Sequence, residues 1–322
     1  MLDIKAAKRE YLDCFKNNIL SIAKHYHKDC ELMCLNSWGF KYEEHGYSDI
    51  VKKLSPYISE EAERYIFILE KFHGIKLTKY KKESFHEKEK LIMESIERGY
   101  PAIFQISGYH CPWSITYHKY HIDHFVLAIG YDKEENVISC IDPFYIEDVI
   151  PAKPGEIIDF IESIFTVDFI EPDFSKEDVY DALLRHVRCL LEIRPSAFKM
   201  MRNLAEDIGK INFLEKQYSV SELYAVPVIR RFKEVEIARE SFMEVLKYID
   251  RKYQSDMNKF IENINDAMRR WGRVKLLVGK IFLTNRVSED TIESIKESIY
   301  EASQIEESTA IEMIGYLEKL HV

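Results

Sequence analysis

Residues 121–143 read HIDHFVLAIGYDKEENVISCIDP, and this stretch decides the fold. Two apolar runs, residues 125–129 and 137–141, flank a polar tip, which is typical of two antiparallel strands joined by a short hairpin loop. If the loop is centred near Glu134, the residue numbers of two residues that face each other across the hairpin add up to about 268. Even-numbered residues at the open end then share one face, so we predict that His124 and Asp142 meet there.

A histidine beside an aspartate is the base and its orienting carboxylate in a nucleophilic site that still needs a nucleophile. Residues 27–40 read HKDCELMCLNSWGF, and Asp29 is a good N-cap for a helix that would begin at Cys30. The free N–H groups at a helix start stabilise a thiolate. We therefore predict a triad of Cys30, His124 and Asp142. The alternative for Cys30 is a small buried apolar residue.

Composition sets the class of protein. The chain has 322 residues, of which 46% are hydrophobic and 31% charged, so it can bury a sizeable core. Its formal net charge of -10 argues against non-specific nucleic-acid binding. No apolar run approaches the roughly 18 residues that span a bilayer, and the N-terminus lacks a signal-peptide core. The six cysteines are scattered and favour reduced thiols. We expect a cytoplasmic protein with no nucleic-acid or membrane partner.

Strand and helix signals divide the chain near residue 172. Short apolar runs besides the hairpin predict an antiparallel sheet of five or six strands: residues 74–82, 101–107, 146–150 and 164–169. From Ser175 onward helical patterns replace strand patterns, with helix-start signals at residues 175–178 and 219–222. We predict an α+β chain in which a papain-like catalytic domain, residues 1–172, is followed by an all-α domain, residues 173–322.

With these residues in place, the chain resembles the butirosin biosynthesis protein H (BtrH) N-terminal family. The stretches DCELMCL and HFVLAIGYD…VISCIDP carry the likeness, together with the tyrosine-rich loop before the second stretch. The likeness covers roughly residues 25–170 and extends more loosely to the helical remainder. The first domain is also similar to the papain-like cysteine-peptidase domains that trim leader peptides in bacteriocin exporters. The type member of the BtrH family moves an acyl group from a carrier-protein thioester to an aminoglycoside amine.

The resemblance implies an acyltransferase of natural-product biosynthesis. Cys30 would be the acylated nucleophile, His124 the base and Asp142 the residue that orients it. The donor would be an acyl or peptidyl carrier protein, or another phosphopantetheine thioester, and the acceptor a small-molecule amine. No further cofactor is expected.

Other residues are assigned around this triad. The aromatic, histidine-rich loop 108–120 ends just before His124 and is predicted to form a wall of the substrate cleft. Exporter peptidases carry a Gln shortly before the cysteine that donates a hydrogen bond to the oxyanion. Here residues 23–29 read AKHYHKD, and His25, Asn17, Asn18 or backbone N–H groups at the helix start would have to serve. The oxyanion and cleft residues are His25, Tyr109, Trp113, Tyr117 and His121. A basic cluster in the helical domain is assigned to carrier docking, or else to a solvated helix face: Arg269, Arg270, Arg273 and Lys275.

Three other readings stay open. The same triad suits a cysteine hydrolase, either a peptidase or a thioesterase, and the fold also suits a non-catalytic binding protein. The third is a zinc site, for which the candidate ligands are the recurring histidines and a nearby cysteine: His110, Cys111, His118, His121 and His124. The triad hypothesis assigns no metal. The oligomeric state, a homo-oligomer included, is not determined by the sequence.

Overall fold

The computed structural model describes residues 1–43, 54–56, 64–211, 213 and 226–320. The chain divides into two compact units. The first contains Met1–Cys30 and Ile66–Asp173, and the second contains Glu31–Tyr65 and Phe174–Val322. The fold is α+β, with an antiparallel six-stranded sheet and several helices. Within the described ranges, no helix has the length and apolar character needed to cross a bilayer.

The first unit is built on the six-stranded sheet, whose strand order is β1-β6-β2-β3-β4-β5. Every neighbouring pair is antiparallel. The strands are β1 (Ile75–Tyr80), β2 (Ala102–Ser107), β3 (Asp123–Asp132), β4 (Val137–Asp142), β5 (Ile146–Ala152) and β6 (Ile161–Phe169). The helices of this part of the chain are α1 (Cys14–His25), α2 (Arg64–His73), α3 (Phe85–Glu97) and a single turn at Pro154–Ile157. The predicted sheet is confirmed.

Alternation along the strands gives the sheet two buried faces. On one face Phe15 of α1 packs edge-on against Phe125 of β3, with ring centroids 4.8 Å apart. On the other, Ile92 of α3 belongs to one buried cluster with Phe104 and Val126. Since burial of each large apolar side chain contributes about 1.5–3 kcal/mol, this packing fixes α1 and β3 against each other.

A β-bulge in the hairpin sets which residues share a face. Near the loop, Gly130 pairs with Ser139, but beyond the bulge Ala128 pairs with Cys140. Ile129 is therefore an extra residue, and the register changes by one. The carbonyl of Ile129 accepts a hydrogen bond of 2.7 Å from the N–H of Leu2. The predicted sum of 268 holds on the far side of this bulge, where the open end of the hairpin lies.

The second unit is helical, with α4 (Lys176–Glu192), α5 (Ala197–Asp207), α6 (Pro227–Tyr253), α7 (Asn258–Thr284) and α8 (Glu289–Leu320). It also holds a short two-stranded ladder, Lys41–Tyr42 with Leu54–Ser55. The ladder lies outside residues 173–322, whose described elements are all helical, as predicted. The predicted division at residue 172 misses that Glu31–Tyr65 belongs to this unit. The reason is packing, because Trp38 is fully buried and donates its Nε1–H to Glu306 of α8 at 2.7 Å.

The helix predicted to begin at Cys30 does not form. Glu31–Cys34 is a single 3₁₀ turn, and Trp38 and Phe40 are buried in the second unit instead of continuing a helical face. So short an element carries no useful macrodipole, and the argument for a stabilised Cys30 thiolate loses its basis. The helix start at residues 175–178 is confirmed by a capping box between Ser175 and Asp178. The one at 219–222 lies outside the described residues.

Candidate active site

The structure brings His124 and Asp142 together. Nε2 of His124 lies 2.6 Å from Oδ2 of Asp142, and both side chains are buried. His124 is the second residue of β3 and Asp142 the last residue of β4. Because Nε2 contacts the carboxylate, Nδ1 is the ring nitrogen that can exchange a proton with a neighbouring group.

The Asp142 carboxylate is held from three sides. Besides His124, the indole Nε1–H of Trp113 donates to Oδ2 at 2.8 Å, and the N–H of Phe144 donates to Oδ1 at 3.2 Å. A buried carboxylate satisfied in this way keeps a fixed orientation. Trp113, predicted as a cleft residue, is thus bound to the orienting carboxylate. The ring of Tyr145 lies 4.9 Å from the imidazole, between centroids.

The cysteine that accompanies this pair is Cys14. It is the first residue of α1, and its N-cap, Asp13, accepts a hydrogen bond from the N–H of Lys16 at 2.8 Å. The backbone of Phe125, the residue after His124, lies close enough to the Cys14 thiol to lower its pKa. The thiol also lies within range of the charge of Asp142. A half-buried thiol at the start of a long helix, beside a His–Asp pair, is the arrangement of a cysteine nucleophile.

The thiol of Cys14 is protonated at rest. Burial, followed by the nearby charge of Asp13, raises its pKa from 9.0 to about 12, although backbone hydrogen bonds from Phe125 and Phe15 lower it in part. Burial raises the pKa of Cys111 to about 12 as well, with the charges of Asp142 and Cys14 as smaller causes. Cys111 is completely buried. As residues, Cys14 is half-buried whereas Cys111 is not exposed at all.

A side-chain bond fixes α1 to the strand that carries His124. Nδ2 of Asn18, one turn after Cys14, donates to the carbonyl oxygen of Phe125 at 2.9 Å. Asn18 is buried, and its Oδ1 has no hydrogen-bond partner among the described residues. The amide therefore sets the distance between the helix start and the first residues of β3.

Cys30 and His25 lie toward the other end of α1. The helix ends at His25, and at about 1.5 Å per residue its two ends are roughly 16 Å apart. Just past that end, Tyr26 packs on Phe169 and donates its hydroxyl to the carbonyl of Gly99 at 2.8 Å. Phe169 ends β6, whereas the opposite end of that strand pairs with β2 next to His124. The structure thus places Cys14, rather than the predicted Cys30, at the end of α1 that is nearer the pair, and His25 lies at the far end.

The remaining cleft residues form an aromatic surface before β3. Tyr109 stacks on His121 with centroids 4.3 Å apart, and Tyr117 stacks on His118 at 3.9 Å. His121 also lies 3.2 Å from the hydroxyl of Ser107. These rings are half-buried or exposed and precede His124 by a few residues. They are available to contact a substrate, whereas His124 is the imidazole that is bonded to Asp142.

The zinc hypothesis finds no geometric support in the described ranges, which contain no group of three or more His, Cys, Asp or Glu side chains able to hold a metal ion. Of the basic cluster, Lys275 bonds Glu236 at 2.5 Å and Arg270 bonds Glu301 at 2.8 Å. Arg269 and Arg273 are exposed.

No family model matches this chain. A search of curated proteins likewise gave no match. The functional argument therefore depends on the geometry of the site and on the sequence resemblance described above.

Cys14 is the residue that sequence reasoning missed. The signal was present, because Asp13 and Cys14 form the same N-cap and first-residue pair as Asp29 and Cys30. Behind Cys14, however, Phe15, Ile19 and Ile22 continue an apolar face for the length of a helix. Behind Cys30, Gly39 interrupts the helical pattern within ten residues.

Proposed function

We propose that the first unit is a papain-like, cysteine-dependent acyltransferase in which Cys14 is the nucleophile, His124 the base and Asp142 the orienting carboxylate. The observation that carries the proposal is that α1, which begins at Cys14, is bonded through Asn18 to the carbonyl oxygen of Phe125 at 2.9 Å, next to a His124 ring held 2.6 Å from Asp142. A cysteine at the start of a helix that packs on an antiparallel sheet, with its base on a strand, supports the papain-like assignment.

The first half-reaction acylates the enzyme. Nδ1 of His124 removes the proton from the Cys14 thiol as sulfur attacks the carbonyl carbon of a thioester donor. The tetrahedral intermediate then expels the donor thiolate, which takes the proton from the His124 imidazolium and leaves as a thiol. The raised pKa of Cys14 favours this coupled proton transfer over a preformed thiolate, because the resting site holds the neutral thiol.

The second half-reaction releases the acyl group. An amine attacks the Cys14 thioester, His124 accepts a proton from the nitrogen, and the Cys14 thiolate departs and is protonated by His124. N–H groups at the start of α1 are the candidate oxyanion donors, since the first turn of a helix directs free N–H groups outward. Asp13 takes one of these donors, the N–H of Lys16, and the N–H of Cys14 is the candidate that we propose.

A thioester donor suits this site. Exchange of one thioester for another is nearly isoenergetic, so the acyl-enzyme stays reactive, and the aromatic surface around Tyr109 and Tyr117 can hold an acceptor while excluding water. The donor is proposed to be a phosphopantetheine thioester on an acyl or peptidyl carrier protein, and the pathway one of natural-product biosynthesis, as in the BtrH-like family. If Cys14 is the nucleophile, the part of the chain that resembles the BtrH family has to begin at α1 rather than near residue 25.

The test is intact-protein mass spectrometry after incubation with a panel of acyl-pantetheine thioesters. We expect an acyl adduct that survives in buffer and disappears when a suitable amine is added. An adduct that buffer alone removes at the same rate would identify a thioesterase or peptidase, the alternative use of the same residues. If no donor acylates the protein, the acyltransferase proposal is wrong.

A further inference from the structure

One face of α7 (Asn258–Thr284) is turned to solvent and mixes cations with leucines. The buried face of this helix contains Ile264, Trp271 and Val278. The opposite face is exposed and follows helical spacing. We call it the α7 outer face, and its residues are Arg269, Arg273, Leu276, Lys280 and Leu283. Leu276 and Leu283 have relative exposures of 70% and 53%, which is high for leucine.

The cations of this face differ from their neighbours in having no carboxylate partner. Arg270 and Lys275 bond Glu301 and Glu236, so their charges are used within the helical unit. In the part of the chain that the structure describes, none of the ion pairs involves Arg269, Arg273 or Lys280. Three uncompensated cations on one helix face are notable in a chain of net charge -10.

We propose that the α7 outer face docks an acidic amphipathic helix of an acyl carrier protein, which delivers the thioester donor; this inference rests on the proposed function. Carboxylates of the partner would pair with Arg269, Arg273 and Lys280, and its apolar residues would cover Leu276 and Leu283. Such complementarity steers association and sets specificity. This face differs from the predicted cluster, because it leaves out Arg270 and Lys275, which are paired within the unit, and adds Lys280 and the two leucines.

A protein partner fits this face better than a membrane. An interfacial helix buries a broad apolar face in the lipid, whereas here the broad apolar face of α7 is already buried in the unit. Two leucines between cations offer an area suited to one helix of a partner.

The experiment uses the full-length chain and two matched double variants. Arg269→Gln/Arg273→Gln removes two exposed charges, and Arg270→Gln/Lys275→Gln removes two charges that are paired within the unit. Binding of a fluorescently labelled holo acyl carrier protein is measured by anisotropy at low and moderate salt. Vesicles of phosphatidylserine and phosphatidylcholine serve as the lipid probe. Acylation by free acyl-pantetheine is followed in parallel by mass spectrometry.

We expect the first double variant to weaken carrier binding about 10-fold, with a smaller salt dependence, and the second to change it less than about twofold. Acylation by free acyl-pantetheine should be unchanged in both. No carrier binding by the wild type, equal effects of both variants, or binding to vesicles in place of the carrier would overturn the docking proposal. The two proposals fail in different measurements. If acyl-pantetheine does not acylate the protein, the acyltransferase proposal is wrong, whereas carrier binding by the two double variants still tests the α7 outer face.

Discussion

Nε2 of His124 lies 2.6 Å from Oδ2 of Asp142 because the hairpin carries an extra residue at Ile129. Without that bulge, the register near the loop would continue and place Asp142 opposite Leu127, on the face away from His124. With it, the continuation of the Ala128–Cys140 and Leu127–Ile141 pairs places Asp142 opposite Val126 and on the same face as His124. A local irregularity thus builds the His–Asp pair.

Asp142 should matter through the orientation of His124. In Asp142→Asn the amide oxygen can still accept from His124 and Trp113, but the amide nitrogen then opposes the N–H of Phe144. We expect acylation of Cys14 to slow by roughly 10²-fold in Asp142→Asn, and by more in Asp142→Ala, which loses both oxygens. Rapid-quench mass spectrometry measures these rates. Equal rates in wild type and Asp142→Ala would show that the carboxylate plays no part.

The reactivity of Cys14 should depend on pH in a characteristic way. Since its pKa is raised to about 12, the thiolate fraction grows with pH and has not levelled off at ordinary alkaline values. Alkylation of Cys14 by iodoacetamide, followed at the level of the Cys14 peptide, should rise about tenfold per pH unit between about pH 7 and pH 10. An early plateau near neutral pH would instead indicate a preformed thiolate, and the coupled proton transfer proposed above would be wrong.

Glu306 should be essential to the stability of the helical unit. Its buried carboxylate accepts from the indoles of Trp38 and Trp271 and from Nε and Nη2 of Arg239, at 2.7–3.0 Å. In Glu306→Gln one oxygen becomes an NH₂ group that faces donors, and buried Arg239 loses its counter-charge. We expect a loss of about 3–5 kcal/mol in the free energy of unfolding.

The control for that change is the next residue. Glu307 pairs with Arg202 at 2.7 Å in a partly exposed position, so Glu307→Gln should cost about 1 kcal/mol or less. Urea unfolding followed by circular dichroism compares the two variants. Similar midpoints for both would contradict the account of the buried network.

The sheet, the hairpin and the meeting of His124 with Asp142 were predictable, because period-2 alternation and a polar loop specify strand pairing locally. The prediction assumed a regular ladder centred at Glu134 and reached the right pair, although Ile129 is bulged. The identity of the bulged residue follows from three-dimensional packing, including the bond from Leu2 to its carbonyl, which no local pattern encodes.

The N-cap signal alone did not separate the two cysteines, although the apolar helical face behind Cys14 is the longer one. Asp13–Cys14 and Asp29–Cys30 are equivalent as N-cap signals, and the segment after Cys30 folds with the helical unit through long-range contacts such as Trp38 with Glu306. The pairing of Arg270 and Lys275 with Glu301 and Glu236 is likewise a tertiary property. The sequence could therefore predict a basic cluster, but it could not predict which of the cations would form ion pairs with carboxylates.

The measurement that tests the central claim most directly is the mapping of the acyl adduct in three proteins: wild type, Cys14→Ala and Cys30→Ala. Each is incubated with the same acyl-pantetheine, digested and analysed by peptide mass spectrometry, with circular dichroism to show that each variant is folded. We predict an adduct on the Cys14 peptide in wild type and in Cys30→Ala, and no adduct in Cys14→Ala. An adduct that persists in Cys14→Ala and disappears in Cys30→Ala would contradict the account.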